Sequence, residues 1–229
     1  MADISQLEEK LGVVFVDKDL LLQALTHRSY LNENPHFRLD HNERLEFLGD
    51  AVIELAVTEF LYKKYPNPEG ELTNWRASLV NAKLLSRLAQ EIGIGEFLLL
   101  SRGEAKDTGR ARQYILANAF EAVAGALYLD RGYDVAKEFT ERVVIKELPT
   151  ILAEQSYKDP KSRLQEEAQE RAGVTPTYRV HAEWGPDHSK RFRVGVYLGK
   201  ELIAEGEGPS KQEAETEAAK AGLAAKQWN

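Results

Sequence analysis

The sequence predicts two domains of different class, an all-α domain followed by a smaller α+β domain. Three observations carry that prediction. Apolar residues recur at helical spacing through about the first 150 residues. From "PTYRVHAEWG" onward, short alternating stretches take over, as strands of a half-buried sheet require. Between the two lies "AEQSYKDP", polar and ended by Pro160, which reads as a linker. The boundaries this gives are 1–153 for the helical domain, 154–159 for the linker and 160–229 for the second domain, within a chain long enough for two modest domains.

Taken in order, "ISQLEEKLG" is a short amphipathic helix stopped by Gly12. "DKDLLLQALTH" follows, with Asp17 as N-cap and an apolar stripe at 20, 21, 24 and 25. The loop "NENPHFRLD" leads into a long helix ending near Lys64, and "YPNPEGEL" breaks it with two prolines and a glycine. "LTNWRASLVNAKLLSRLAQEIG" resumes helical spacing as one helix to Gly93, and "SRGEAKDTGRAR" reads as an exposed loop. "QYILANAFEAVAGALYLDRG" is the next helix, and a last one over roughly 133–152 closes the domain. In the second domain "KSRLQEEAQERAG" is a helix ended by Gly173. The strands "PTYRVHAEWG", "RFRVGVYLG" and "KELIAEGEG" and the helix "PSKQEAETEAAKAGLAAKQ" complete an α-β-β-β-α order. There is no internal repeat or low-complexity tract.

The apolar fraction of 43% and charged fraction of 29% belong to an ordinary globular protein. No apolar run approaches a membrane span, and "MADISQLEEKLG" lacks a signal-peptide pattern. Without cysteine there is neither a disulfide nor a thiolate metal site. A cytoplasmic protein with no membrane partner is the expectation. The net charge of −7 argues against a nucleic-acid partner only until it is divided. Residues 1–156 hold 18 Lys+Arg against 25 Asp+Glu, whereas 157–229 hold 12 of each. The neutral second part can still carry a basic face, because placement matters more than the sum.

The acidity concentrates in "HNERLEFLGDAVIEL", where Glu43, Glu46, Asp50 and Glu54 interrupt a helix that otherwise reads as core. At roughly 100° per residue the four fall within an arc of about 80°. Leu45, Leu48, Val52 and Leu55 lie opposite, and Phe47 and Ile53 flank the stripe. Acids hemmed in by apolar neighbours must be paired, protonated or bound to a cation. Glu46 and Asp50, one turn apart, offer the oxygen ligands that suit Mg²⁺ or Mn²⁺. A solvated acidic face is the plainer explanation for this helix taken alone. A partner is offered by "ILANAFEAVAGALYLD", whose small residues at 117, 119, 122, 124, 125 and 126 let another helix approach closely. Its polar pair, Asn118 and Glu121, shares one face, and packing on the first helix would bring Glu46, Asp50, Asn118 and Glu121 together.

"NERLEFLGDAV" at 42–52 resembles the defining motif of the ribonuclease III family of double-stranded-RNA endonucleases. "ALTHRSY" at 24–30, "LTNWRASLV" at 72–80 and "SRGE" at 101–104 are similar to the family's other motifs, in its order. The C-terminal module, with "RLQE", "GPDHSKRF" and "GEGPSKQEAE", resembles the double-stranded-RNA-binding domain of bacterial members. The resemblance implies an all-α endonuclease domain of that type and an α-β-β-β-α RNA-binding domain. It implies Mg²⁺, replaceable by Mn²⁺, held by Glu46, Asp50, Asn118 and Glu121, with Asp50 and Glu121 catalytic. It further implies a homodimer with Glu43 and Glu69 near the dimer-related part of the site, Glu71 being the alternative to Glu69. The implied activity is cleavage of double-stranded RNA to 5′-phosphate and 3′-hydroxyl ends with short 3′ overhangs, in processing of ribosomal and other structured RNA.

Asn118 departs from the pattern, since family members usually carry Asp there. Losing a unit charge at about 4 Å from a metal costs up to roughly 4 kcal/mol at an effective dielectric near 20, less after compensation. The alternative is therefore a dimer that binds duplex RNA and cuts it poorly. In the second domain the resemblance implies RNA contacts from Gln165, Glu166, Pro186, His188, Lys190, Ser210 and Lys211, with Arg191 adding to them. The first two would reach 2′-hydroxyls, Pro186 and His188 the next minor groove, and Ser210 and Lys211 the phosphates at a helix N-terminus. Gln212 stands where members often have a second lysine. His27, at a helix end, is expected to be a structural hydrogen-bonder and His41 a loop residue before the long acidic-stripe helix.

Overall fold

The computed structural model describes residues 3–153, 159–186 and 189–228 and forms two compact units that divide between 157 and 158. The first unit is helical: α1 (Ile4–Leu11), α2 (Lys18–Ala24), α3 (Arg28–Glu33), α4 (Glu43–Lys64), α5 (Glu69–Leu79), α6 (Ala82–Ile92), α7 (Arg110–Arg131), α8 (Tyr133–Val143) and α9 (Leu148–Ala153). Single 3-10 turns occupy Ile94–Glu96, Glu104–Lys106 and Ile145–Glu147. The centre of this unit is α7, against which α2, α4, α6 and α8 pack. Ala119, Phe120, Ala122, Val123, Ala124, Ala126 and Leu127 have no solvent exposure, so this stretch is apolar on nearly every side, as a central helix must be. Each buried Leu or Phe around it contributes about 1.5–3 kcal/mol.

Several sequence expectations need correction. The single helix expected to run to Gly93 is two, because Asn81 turns extended and its Oδ1 accepts the Leu84 N–H, starting α6 afresh. The helix expected over 133–152 is α8, a 3-10 turn and α9. The short α3, capped by the His27 ring, was not anticipated. On α4, Leu55 is 56% exposed rather than core, and Phe47 is 83% exposed, so the acidic stripe has apolar cover on the Ile53 side but not on the Phe47 side. The expected linker falls outside the described residues except for Asp159.

The second unit comprises α10 (Pro160–Ala172), β1 (Pro176–Trp184), β2 (Arg191–Leu198), β3 (Glu201–Gly208) and α11 (Lys211–Lys226). The strands form one antiparallel sheet in the order β1-β2-β3, with Val180 opposite Val194 and Val196 opposite Ala204. Leu164 and Ala168 of α10, Ala218, Ala219 and Leu223 of α11, Val196 and Trp228 make its core. The close seating of α11 depends on Gly206, where a Cβ would lie 2.1 Å from the Ala218 nitrogen.

Candidate functional site

The polar centre of the first unit is built by the crossing of α4 and α7. Two glycines set how close the helices come. A Cβ at Gly49 would sit 1.8 Å from the Glu121 carbonyl oxygen, and one at Gly125 would sit 2.3 Å from that of Leu45. No other residue permits that approach. Buried Asn42 fixes the start of α4, donating from Nδ2 to the Ala24 carbonyl at 3.1 Å and from its backbone to Thr26 at 2.9 Å.

This crossing brings the four predicted residues into mutual influence. Glu46 is half-buried and hydrogen-bonds the Asn118 side chain. Its carboxyl is raised above the ordinary range by burial and by the charges of Glu43 and Asp50, which together outweigh that hydrogen bond. Glu121 is pushed up to about 8, first by burial and then by Asp50 and Glu46. Asp50 is exposed. Among the described residues no group of three or more His, Asp and Glu side chains is arranged as a bound ion would require. The donor chemistry nonetheless fits a hard divalent cation. Three carboxylates act on one another's charge here, and an Asn118 amide that donates through Nδ2 keeps its Oδ1 available.

Glu43, whose charge also acts on Glu46, pairs with Arg28 Nη1 at 3.2 Å and His41 Nδ1 at 3.8 Å. Glu69 opens α5, accepts from Thr73 Oγ1 at 2.9 Å, and is not among the charges that shift Glu46 or Glu121. Glu71 is held by Asn67 Nδ2 at 2.8 Å. His27 caps α3 by accepting the Ser29 N–H, and burial lowers its pKa. The contact between Arg28 and Glu43 escaped the sequence reading, though "HRSY" and the acidic motif both lay in it.

In the second unit Gln165 and Glu166 lie on the exposed side of α10, opposite Leu164 and Ala168. Pro186 is exposed in the β1–β2 turn, where Gly185 takes a positive φ of 89°. His188 lies outside the described residues. Lys190 pairs with Glu183 at 3.2 Å and reaches the Phe192 ring, which Lys211 also contacts. Ser210 is the N-cap of α11, its Oγ accepting the Glu213 N–H at 3.1 Å. Its hydroxyl therefore serves the helix first and offers a phosphate only its proton.

The helical unit and the α-β-β-β-α unit that follows it match two families in turn. The family described as Ribonuclease-III-like matches residues 17–148, and the double-stranded RNA binding motif matches 160–225. Ribonuclease 3 of Nitratiruptor sp. is 45% identical over 97% of this chain and 96% of its own length. Ribonuclease 3 of Natranaerobius thermophilus is 47% identical over 95% and 94%. The nuclease domain of ribonuclease III from Campylobacter jejuni is 40% identical, with a TM-score of 0.58, covering 64% of this chain and 99% of that one. The chain belongs to the ribonuclease III family and is an endoribonuclease.

Proposed function

We propose that this chain, as a homodimer, cuts double-stranded RNA with Mg²⁺ or Mn²⁺, leaving 5′-phosphate and 3′-hydroxyl ends with short 3′ overhangs. Ribosomal and other structured precursors in the cytoplasm are its substrates. The observation that carries this reading is Glu121, held near pKa 8 by burial and by the charges of Glu46 and Asp50. A chain retains such an arrangement where a cation relieves it. Glu46, Asp50, Glu121 and the Asn118 amide oxygen would hold the ion, which supplies Lewis acidity to water and to the scissile phosphate. Exposed Asp50 faces the substrate side, and Glu121 holds its position through the Gly49 crossing.

The dimer is supported by an apolar stripe on α4. Phe47, Leu55 and Tyr62 are 83%, 56% and 80% exposed. They fall within about 80° of one helix face by helical spacing, which suits a second copy. The structure from Campylobacter jejuni is described in terms of a region involved in dimer formation. In the RNA-binding unit, Gln165, Glu166, Pro186 and His188 address the minor groove, and Lys190, Ser210 and Lys211 the phosphates. No helix among the described residues is long and apolar enough to cross a membrane.

The second reading, a dimer that binds duplex and cuts poorly, draws on the hydrogen bond between Asn118 and Glu46, which ties up one carboxylate with a neutral neighbour. Cleavage of a perfect RNA duplex by this chain and by Asn118→Asp, in Mg²⁺ and then Mn²⁺, separates the two. Similar rates support the nuclease. Cutting by Asn118→Asp alone, with equal duplex binding, supports the binder.

A further inference from the structure

Of the four acids in the α4 stripe, Glu43 is the one with an ion pair among the described residues, its Oε1 lying 3.2 Å from Arg28 Nη1. Its Oε2 faces His41, whose Nδ1 is 3.8 Å away, buried and without a hydrogen-bond partner, so that contact does not hold it. Arg28 reaches Glu43 from a fixed base. The His27 ring caps α3, Ser29 Oγ accepts the Ser101 N–H at 3.0 Å, and the Glu33 carboxylate accepts the Arg102 N–H at 3.2 Å. None of these contacts uses the Arg28 side chain. Among the described residues its guanidinium makes no ion pair other than the one with Glu43.

Glu43 and Glu46 are three residues apart on α4, which puts them on one face within a turn of each other. The charge of Glu43 already acts on Glu46. The residues proposed to hold the ion are three carboxylates and the neutral Asn118 amide, so a further carboxylate one turn away changes the local charge appreciably. Arg28 cancels that charge. The pair is open to solvent, with the Arg28 side chain 68% and that of Glu43 46% exposed, so it adds little to the stability of the fold. Its effect falls instead on the charge beside the centre.

We propose that Arg28 is a positioning residue that sets the cation affinity of the centre through Glu43: the ion pair withholds the Glu43 charge from the ion, and opening the pair returns it. The inference rests on the metal-dependent reading above and names a residue that regulates the same site. A carboxylate about 8 Å from a divalent ion, in water at low salt, changes its affinity about threefold.

The test is Mn²⁺ uptake by the full chain without RNA, read from the electron paramagnetic resonance of unbound Mn²⁺ at pH 8 and 10 mM salt. Wild type is compared with Arg28→Gln, Arg28→Lys, Glu43→Gln and Arg28→Gln/Glu43→Gln. Arg28→Gln binds Mn²⁺ about threefold tighter than wild type, and Arg28→Lys binds as wild type does. In the Glu43→Gln background, Arg28→Gln changes nothing further. At 1 M salt, where the screening length shortens to about 3 Å, the gain disappears. A side chain needed only for folding gives the opposite sign, since its loss weakens the site. Unchanged or weaker binding by Arg28→Gln overturns the proposal. Equal tightening with and without Glu43 also overturns it, because Arg28 would then act on the ion directly. Wild type that takes up no Mn²⁺ overturns the metal-dependent reading itself, which separates the two failures.

Discussion

Replacing Glu121 with Gln in the metal-free protein tests the electrostatics of the centre without relying on catalysis. The folded-state pKa of about 8 lies above the ordinary 4.5, so the folded chain keeps a proton that the unfolded chain releases. Stability is therefore complete below about pH 4.5 and falls as pH rises toward 8. At about 1.4 kcal/mol per pH unit the interval gives about 5 kcal/mol, which solvent screening at a half-buried carboxylate reduces to about 2 kcal/mol. For a unit of this size that is about 4–8 °C in melting temperature. Thermal melts in chelator at pH 5 and pH 9 read it out. Glu121→Gln should melt close to wild type at pH 5 and about 4–8 °C above it at pH 9. An unchanged difference between the two pH values would show that Glu121 is not held protonated by its neighbours, and the reasoning for a cation there would lose its footing.

Other outcomes follow from the same geometry. Gly49→Ala forces α4 off α7 at a cost of at least about 3 kcal/mol, visible as a lower urea midpoint, and removes cleavage with it. Ser210→Ala deletes the α11 cap and destabilises the second unit by about 1 kcal/mol in chemical denaturation. Lys211→Gln, in the first turn of α11, lowers the salt slope of duplex binding by about 1 with little change in sequence preference. Glu59, held near pKa 2 by Lys63, Lys137 and Tyr133, gives stability that is present above about pH 4.5 and lost as pH falls through 2. Glu59→Gln should flatten the acid limb of the melting profile there.

The α4 and α7 motifs were legible because each puts polar residues into a helix that is otherwise apolar, and small residues on α7 announced a close neighbour. Their partner, Gly49, was quoted within the motif but not recognised as the other half of the crossing. The break at Asn81 was missed because apolar spacing continues across it, although an Asn before "AKLL" is an N-cap signal. Leu55 was assigned to the core because helical spacing separates faces but does not say which of two apolar faces meets the protein. The second unit was easier: Gly173, the alternating strands and Pro209 before α11 all mark element ends locally. Pairings such as Lys190 with Glu183 across the β1–β2 turn depend on register, which no residue type in that loop reveals.

The most direct test of the central claim is single-turnover cleavage of an RNA duplex in Mg²⁺ by this chain beside Asp50→Asn and Glu121→Gln, with duplex affinity measured for all three. The account predicts metal-dependent scission by the unaltered chain and its loss, at matched affinity, in both variants. Scission that persists in either variant, or that proceeds in chelator, would contradict a carboxylate centre at the crossing of α4 and α7.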